Sequence, residues 1–138
     1  MAALEVERGG ARLFSAVQST WNLLETSAGA ALRTASRREL TVIVKEALAN
    51  GRLVAQPPPV LQQIAQRLGV GPDAVALAAA AAQPWANRVL LGAASTDQLR
   101  ANLRATGLVL DPADLDLLTT AALDPGEYWQ TRSAMPWQ

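Results

Sequence analysis

The run Leu40-Thr41-Val42-Ile43-Val44 is apolar or β-branched at every position, so any strand it forms is apolar on both faces. Such a strand needs cover on both sides. An antiparallel sheet with one wet face does not supply it; a parallel strand between helices does. Lys45-Glu46 ends the run abruptly and reads as a solvated strand terminus.

The flanking sequence fits that requirement. Residues 1–12 read as the end of a helix followed by Gly9-Gly10, and residues 14–18 as a short strand. Ser27 is positioned to cap a helix running to about Arg38, with Ala30, Ala31, Leu32 and Ala35 on one side. After the central strand, residues 46–56 read as a loop containing the turn Asn50-Gly51. Pro57-Pro58-Pro59 stiffens the approach to a helix in which Val60, Leu61, Ile64, Ala65 and Leu68 recur at helical spacing. Gly69 stops it, and Gly71-Pro72-Asp73 starts another with Pro at the first helical position. That helix runs through the alanines at 78–82 to Pro84. Residues 88–91 form a third strand, and 96–104 a helix. Asp111 caps a last helix with Leu115, Leu118 and Ala122 facing inward, ended by Asp124-Pro125-Gly126. Of the tail residues, Tyr128, Trp129 and Trp137 are expected to seal the core. The order is strand, helix, strand, two helices, strand, two helices. It predicts an α/β chain with about three parallel strands and flanking helices.

Composition narrows the chemistry. With no Cys and no His in 138 residues, thiolate nucleophiles, disulfides, imidazole bases and most zinc sites are excluded, and no metal site is predicted. Twelve basic residues balance twelve acidic ones, so nothing points to nucleic acid. The longest apolar run, 74–82, is too short to span a bilayer. The charged start of the chain does not read as a signal peptide, so a cytoplasmic protein is expected.

The segment from Val89 to Leu103 carries the strongest local signal. Its apolar run, Val89-Leu90-Leu91, stops at Gly92-Ala93-Ala94 and opens into a helix with Ser95 at the cap and Gln98 three residues later, a capping-box spacing. Unpaired amides at such a helix start favour an anion, and a nucleotide phosphate is the common case.

Three segments, in order, together resemble the aldo/keto reductase family. Gln18-Ser19-Thr20-Trp21-Asn22-Leu23-Leu24 is similar to the family's Gln-x-x-Tyr-Asn-Leu-Leu at the end of a late barrel strand. Residues 42–53 are similar to its strand followed by Tyr-Ser-Pro-Leu-Ala-x-Gly-x-Leu. Gly92-Ala93-Ala94-Ser95-Thr96-Asp97-Gln98-Leu99-Arg100-Ala101-Asn102-Leu103 matches Gly-Ala-x-Ser-x-x-Gln-Leu-x-x-Asn-Leu. The resemblance covers nearly the whole chain but only the last part of a family member. It implies a partial (β/α)₈ TIM barrel, residues 1–138 forming one domain on the cofactor side, from a family that reduces carbonyls with NADPH.

Carried over by position, the resemblance assigns Gln18 to the nicotinamide carboxamide and the backbone of Leu48, Ala49, Asn50 and Gly51 to the pyrophosphate. Gly92, Ala93, Gln98 and Asn102 surround the adenosine end, and Trp21 lies beside the substrate pocket. NADP is the implied cofactor, with NAD the alternative, since neither Gly92 nor Ala94 is basic where many members grip a 2′-phosphate. Lys45 stands where the family usually stacks an aromatic ring, and Ala101 replaces an acidic residue. The family's catalytic Asp, Tyr, Lys and His belong to earlier strands, so no catalytic residue is assigned and the 138 residues alone are expected to be inactive. Two other roles remain open: a non-catalytic nucleotide-binding module, and a module that buries its open sheet edges against a missing N-terminal barrel half or a second copy.

Overall fold

The computed structural model describes residues 6–136. A small hairpin comes first, β1 (Glu7–Arg8) antiparallel to β2 (Ala11–Arg12). Gly9 and Gly10, at φ 62° and 79°, supply the two left-handed residues that a tight hairpin turn needs. The expected helix end therefore gives way to a turn over residues 6–12, while residues 1–5 lie outside the described part.

β3 (Ala16–Thr20), β4 (Thr41–Lys45) and β5 (Arg88–Val89) form a parallel sheet in that order. All three expected strands are present and parallel. β3 begins two residues later than the sequence indicates, and β5 is shorter than 88–91, although Leu90 N still donates to Val44 O at 2.9 Å. Helix α1 (Gly29–Arg37) links β3 to β4. Ser27 does not cap it: Ala28 is the N-cap, and the Ser27 hydroxyl donates instead to Glu25 Oε1. Its C-terminal end closes with Glu39 N donating to Ser36 O and Leu40 N to Ala35 O, the paired bonds of a Schellman turn.

Between β4 and β5 lie a 3₁₀ turn (Ala49–Gly51), α2 (Arg52–Ala55), α3 (Pro59–Leu68) and α4 (Pro72–Ala81). The expected loop over 46–56 thus ends in a short helix. In α4, every residue from Ala74 to Ala80 is buried. A helix apolar on all sides has to be enclosed, and alanine lets α2, α3, α5 and β5 approach it closely. α5 (Thr96–Leu103) and α6 (Pro112–Leu118) follow, each started by the expected cap. On α6 Leu118 is buried and Leu115 half-buried, whereas Ala122, expected inward, is exposed and Ala121 is buried in its place.

Asp124-Pro125-Gly126 starts a helix rather than ending one: α7 (Pro125–Ser133), with Asp124 Oδ1 accepting from Glu127 N at 3.1 Å. Tyr128 is fully buried, but Trp129 is 45% exposed and does not seal the core. Trp137 lies outside the described residues.

The core sits on one face of the sheet. Val42 and Val44 are fully buried there, in register with Val17 and Ser19 of β3. The opposite face carries Gln18, Ile43 and Arg88 in one row, with Gln18 and Arg88 exposed. No helix of the described residues is long and apolar enough to cross a membrane.

Candidate functional site

The chain coils tightly as it leaves β4. Glu46, Ala49, Asn50 and Gly51 all have positive φ, at 56°, 51°, 57° and 84°. Glu46 and Ala49 carry side chains that disfavour the left-handed region, which Asn50 and Gly51 adopt readily, so at those two positions the surrounding structure must impose the conformation. Asn22 is the main constraint. It is fully buried; its Oδ1 accepts from Leu24 N and Glu25 N at 3.0 Å, and its Nδ2 donates to Glu46 O and Tyr128 Oη at 3.0 Å. Arg52 Nε donates to Ala49 O at 3.2 Å, and its guanidinium lies 4.2 Å over the Tyr128 ring. Arg132 Nε pairs with Glu46 Oε2 at 3.4 Å. Helix α7 thereby clamps the coil from behind.

The second wall is the segment leaving β5. Ser95 Oγ accepts from Gln98 N at 3.2 Å, and Gln98 Oε1 accepts from Ala94 N at 2.8 Å, which completes the predicted capping box with the return bond one residue early. Asn102 is buried, its Nδ2 donating to Asp73 Oδ2 at 2.9 Å and to Gln98 O at 3.2 Å. This fixes α5 against the first turn of α4.

Between these walls, at the C-terminal ends of β4 and β5, is a groove of about 820 Å³, within the size range of small-molecule sites. Of the residues assigned to a cofactor from sequence, Leu48, Asn50, Gly51, Gly92, Ala93, Gln98 and Asn102 line it. Three assigned residues do not. Ala49, within the coil, is fully buried, although its neighbours face the groove. Gln18 is exposed on the open face of the sheet, beside Ile43. Trp21, expected beside a substrate pocket, is buried in the core, edge-on to Trp85 with ring centroids 5.6 Å apart. Lys45 does not line the groove either.

Sequence reading missed part of the lining. Val54, Leu77, Leu90 and Leu91 make it apolar, and Glu46, Asp73 and Asp97 are its charged side chains. Val54 and Leu77 come from helices whose positions depend on packing. Asp73 and Asp97 lie in the first turns of α4 and α5, where a carboxylate already has a reason to be. Among the described residues no group of three or more acidic side chains is placed to hold a metal ion.

No family model and no curated protein matches the chain. Solved structures do. The thermostable aldo-keto reductase Tm1743, in complex with the inhibitor epalrestat, superposes with a TM-score of 0.67 at 23% identity, covering 75% of this chain and 38% of its own. Gox0644 in complex with NADPH gives 0.68 at 18% identity over 79% of this chain and 38% of its own. A putative 2,5-diketo-D-gluconic acid reductase B gives 0.66 at 25% identity over 79% and 37%. The fold is that of part of an aldo-keto reductase barrel, and the chain spans well under half the length of these structures.

Proposed function

We propose that this chain is the nucleotide-holding portion of an aldo/keto reductase-like oxidoreductase, and that its groove takes a nicotinamide dinucleotide by the adenosine end. The observation that carries the reading is the convergence of two separate segments, the left-handed coil after β4 and the capped turn after β5, on one groove at the C-terminal rim of adjacent parallel strands. In barrels of this architecture sites are built at that rim. The fit is chemical as well as positional. Val54, Leu77, Leu90 and Leu91 offer apolar surface for a base, while Leu48 and Gly51 present backbone and Gln98 a polar side chain for a ribose and its phosphates. That Gox0644 is held with NADPH supports a dinucleotide as the ligand class.

A bound dinucleotide supplies the hydride for carbonyl reduction. The chain's own contribution is to hold and orient it, with Asn22, Arg52 and Arg132 keeping the coil in shape. There is no His in the sequence and its one Lys, Lys45, ends β4, so the proton-donating set of the family cannot be assembled from these residues. The 138 residues by themselves are therefore a binding module, and reduction requires further barrel strands. The outer edges of β3 and β5 favour that second element of the reading: further strands would pair there, and the exposed row of Gln18 and Arg88 would then face the barrel interior.

Calorimetric titration with NADH tests the proposal. Saturable one-to-one binding that is abolished by Ala93→Trp, a substitution that fills the groove, is the expected result. Absence of binding, or binding that Ala93→Trp leaves intact, refutes it.

A further inference from the structure

Resting on the dinucleotide reading above, we propose that this groove selects against a phosphate on the adenosine ribose and so takes NAD(H) in preference to NADP(H). Among the described residues, the charged side chains that line it are Glu46, Asp73 and Asp97, with neither Lys nor Arg. Lys45, next to Glu46 in the chain, ends β4 and does not line the groove, and three arginines near the groove have partners of their own. Arg52 stacks on Tyr128 and donates to Ala49 O, Arg132 pairs with Glu46, and Arg100 pairs with Asp97 at 3.5 Å, both ends largely exposed. Two amides at the start of α5 are also spoken for, since Ala94 N donates to Gln98 Oε1 and Gln98 N to Ser95 Oγ.

A 2′-phosphate brings close to two negative charges. Among the lining side chains it would meet carboxylates and no guanidinium or ammonium, and like charges close together in a half-enclosed site repel appreciably. A free 2′-hydroxyl meets the opposite situation, because a carboxylate is the natural acceptor for a ribose hydroxyl. Asp73 is committed to Asn102, whereas Asp97 is 90% exposed in its side chain and held only by the exposed Arg100 at 3.5 Å, a weak pair that a ribose hydroxyl can replace. Asp97 is accordingly the residue that sets the preference.

The test is calorimetric titration of the 138-residue protein with NADH, NADPH, AMP and adenosine 2′,5′-bisphosphate, at low and at high salt. NADH is expected to bind at least tenfold more tightly than NADPH, and AMP more tightly than the bisphosphate, with the gap narrowing at high salt as repulsion is screened. Asp97→Asn, an exposed substitution checked for retained helicity by circular dichroism, narrows the gap at low salt. NADPH binding as tightly as NADH, or a ratio untouched by Asp97→Asn, overturns the inference while the groove reading stands. Binding of none of the four ligands refutes the groove reading itself, and the inference with it.

Discussion

Replacing Asn22 with Ala removes the side chain that holds the left-handed coil. In the native protein its amide closes four hydrogen bonds, all buried or partly buried: to the amides of Leu24 and Glu25, to the carbonyl of Glu46 and to the hydroxyl of Tyr128. Glu25 N keeps its bond to Asn22 O and Glu46 O still accepts from Ala49 N, whereas Leu24 N and Tyr128 Oη lose the partner that Asn22 gives them. An unsatisfied buried polar group costs about 1–3 kcal/mol, so the two orphaned groups together cost on the order of 2–6 kcal/mol. That is a large share of the 5–15 kcal/mol by which a domain of this size is typically stable. Tyr128→Phe removes one of the four bonds and leaves the Asn22 amide donating to Glu46 O; it costs about 1 kcal/mol. Urea unfolding followed by far-ultraviolet circular dichroism checks both. With a slope of roughly 1–3 kcal/mol per molar, the midpoint for Asn22→Ala falls by about 2 M or the chain is unfolded at the outset, while Tyr128→Phe stays within about 1 M of the parent. A loss below about 1 kcal/mol for Asn22→Ala, or equal losses for the two variants, refutes the assignment of Asn22 as the clamp.

Other outcomes follow from the same geometry. Glu39 occupies the left-handed position of the Schellman turn after α1, at φ 62°, and is exposed; Glu39→Gly relieves that conformation and stabilises the protein by about 1 kcal/mol, raising the thermal midpoint by a few degrees. Ser95→Ala removes the cap on α5 and costs about 1 kcal/mol by the same measurement. Leu61→Ala, at a fully buried position of α3, costs about 2–5 kcal/mol in urea unfolding. The 138-residue protein mixed with NADH or NADPH and an aldehyde shows no loss of absorbance at 340 nm above the protein-free rate; sustained turnover contradicts the account of these residues as a binding module.

How far the sequence reveals all this depends on the kind of signal. Leu40 to Val44 locates β4 within a residue because a buried parallel strand is apolar throughout. Ser95 and Asp111 locate helix starts because a cap needs its acceptor at one position. Gln98 and Asn102 line the groove, and each has a structural task that accounts for it, one in the capping box and the other joining α5 to α4. The misreadings have physical causes too. β1 and β2 are two-residue strands made of Glu, Arg and Ala, with no apolar alternation to read. Asp124-Pro125-Gly126 contains both stop and start signals; in the structure Asp124 caps α7, and Tyr128 packs beneath Arg52. Ser27 is a good capping residue whose hydroxyl is drawn to the buried Glu25 instead. Trp21 stands near the end of β3, but nothing in a linear sequence says that it meets Trp85. The acidic character of the groove was hidden for a similar reason: Glu46, Asp73 and Asp97 are far apart in sequence, and each has a local role that accounts for it alone.

The account rests on one place in the molecule receiving the nucleotide, and amide chemical-shift mapping observes that place directly. Titrating ¹⁵N-labelled protein with NADH is predicted to move the amides of residues 48–51, 92–98 and 101–102 together, with one apparent dissociation constant, while β1, β2 and the outer turns of α1 stay still. Shifts centred on the open sheet face around Gln18 and Arg88, or no shifts at saturating NADH, would contradict it.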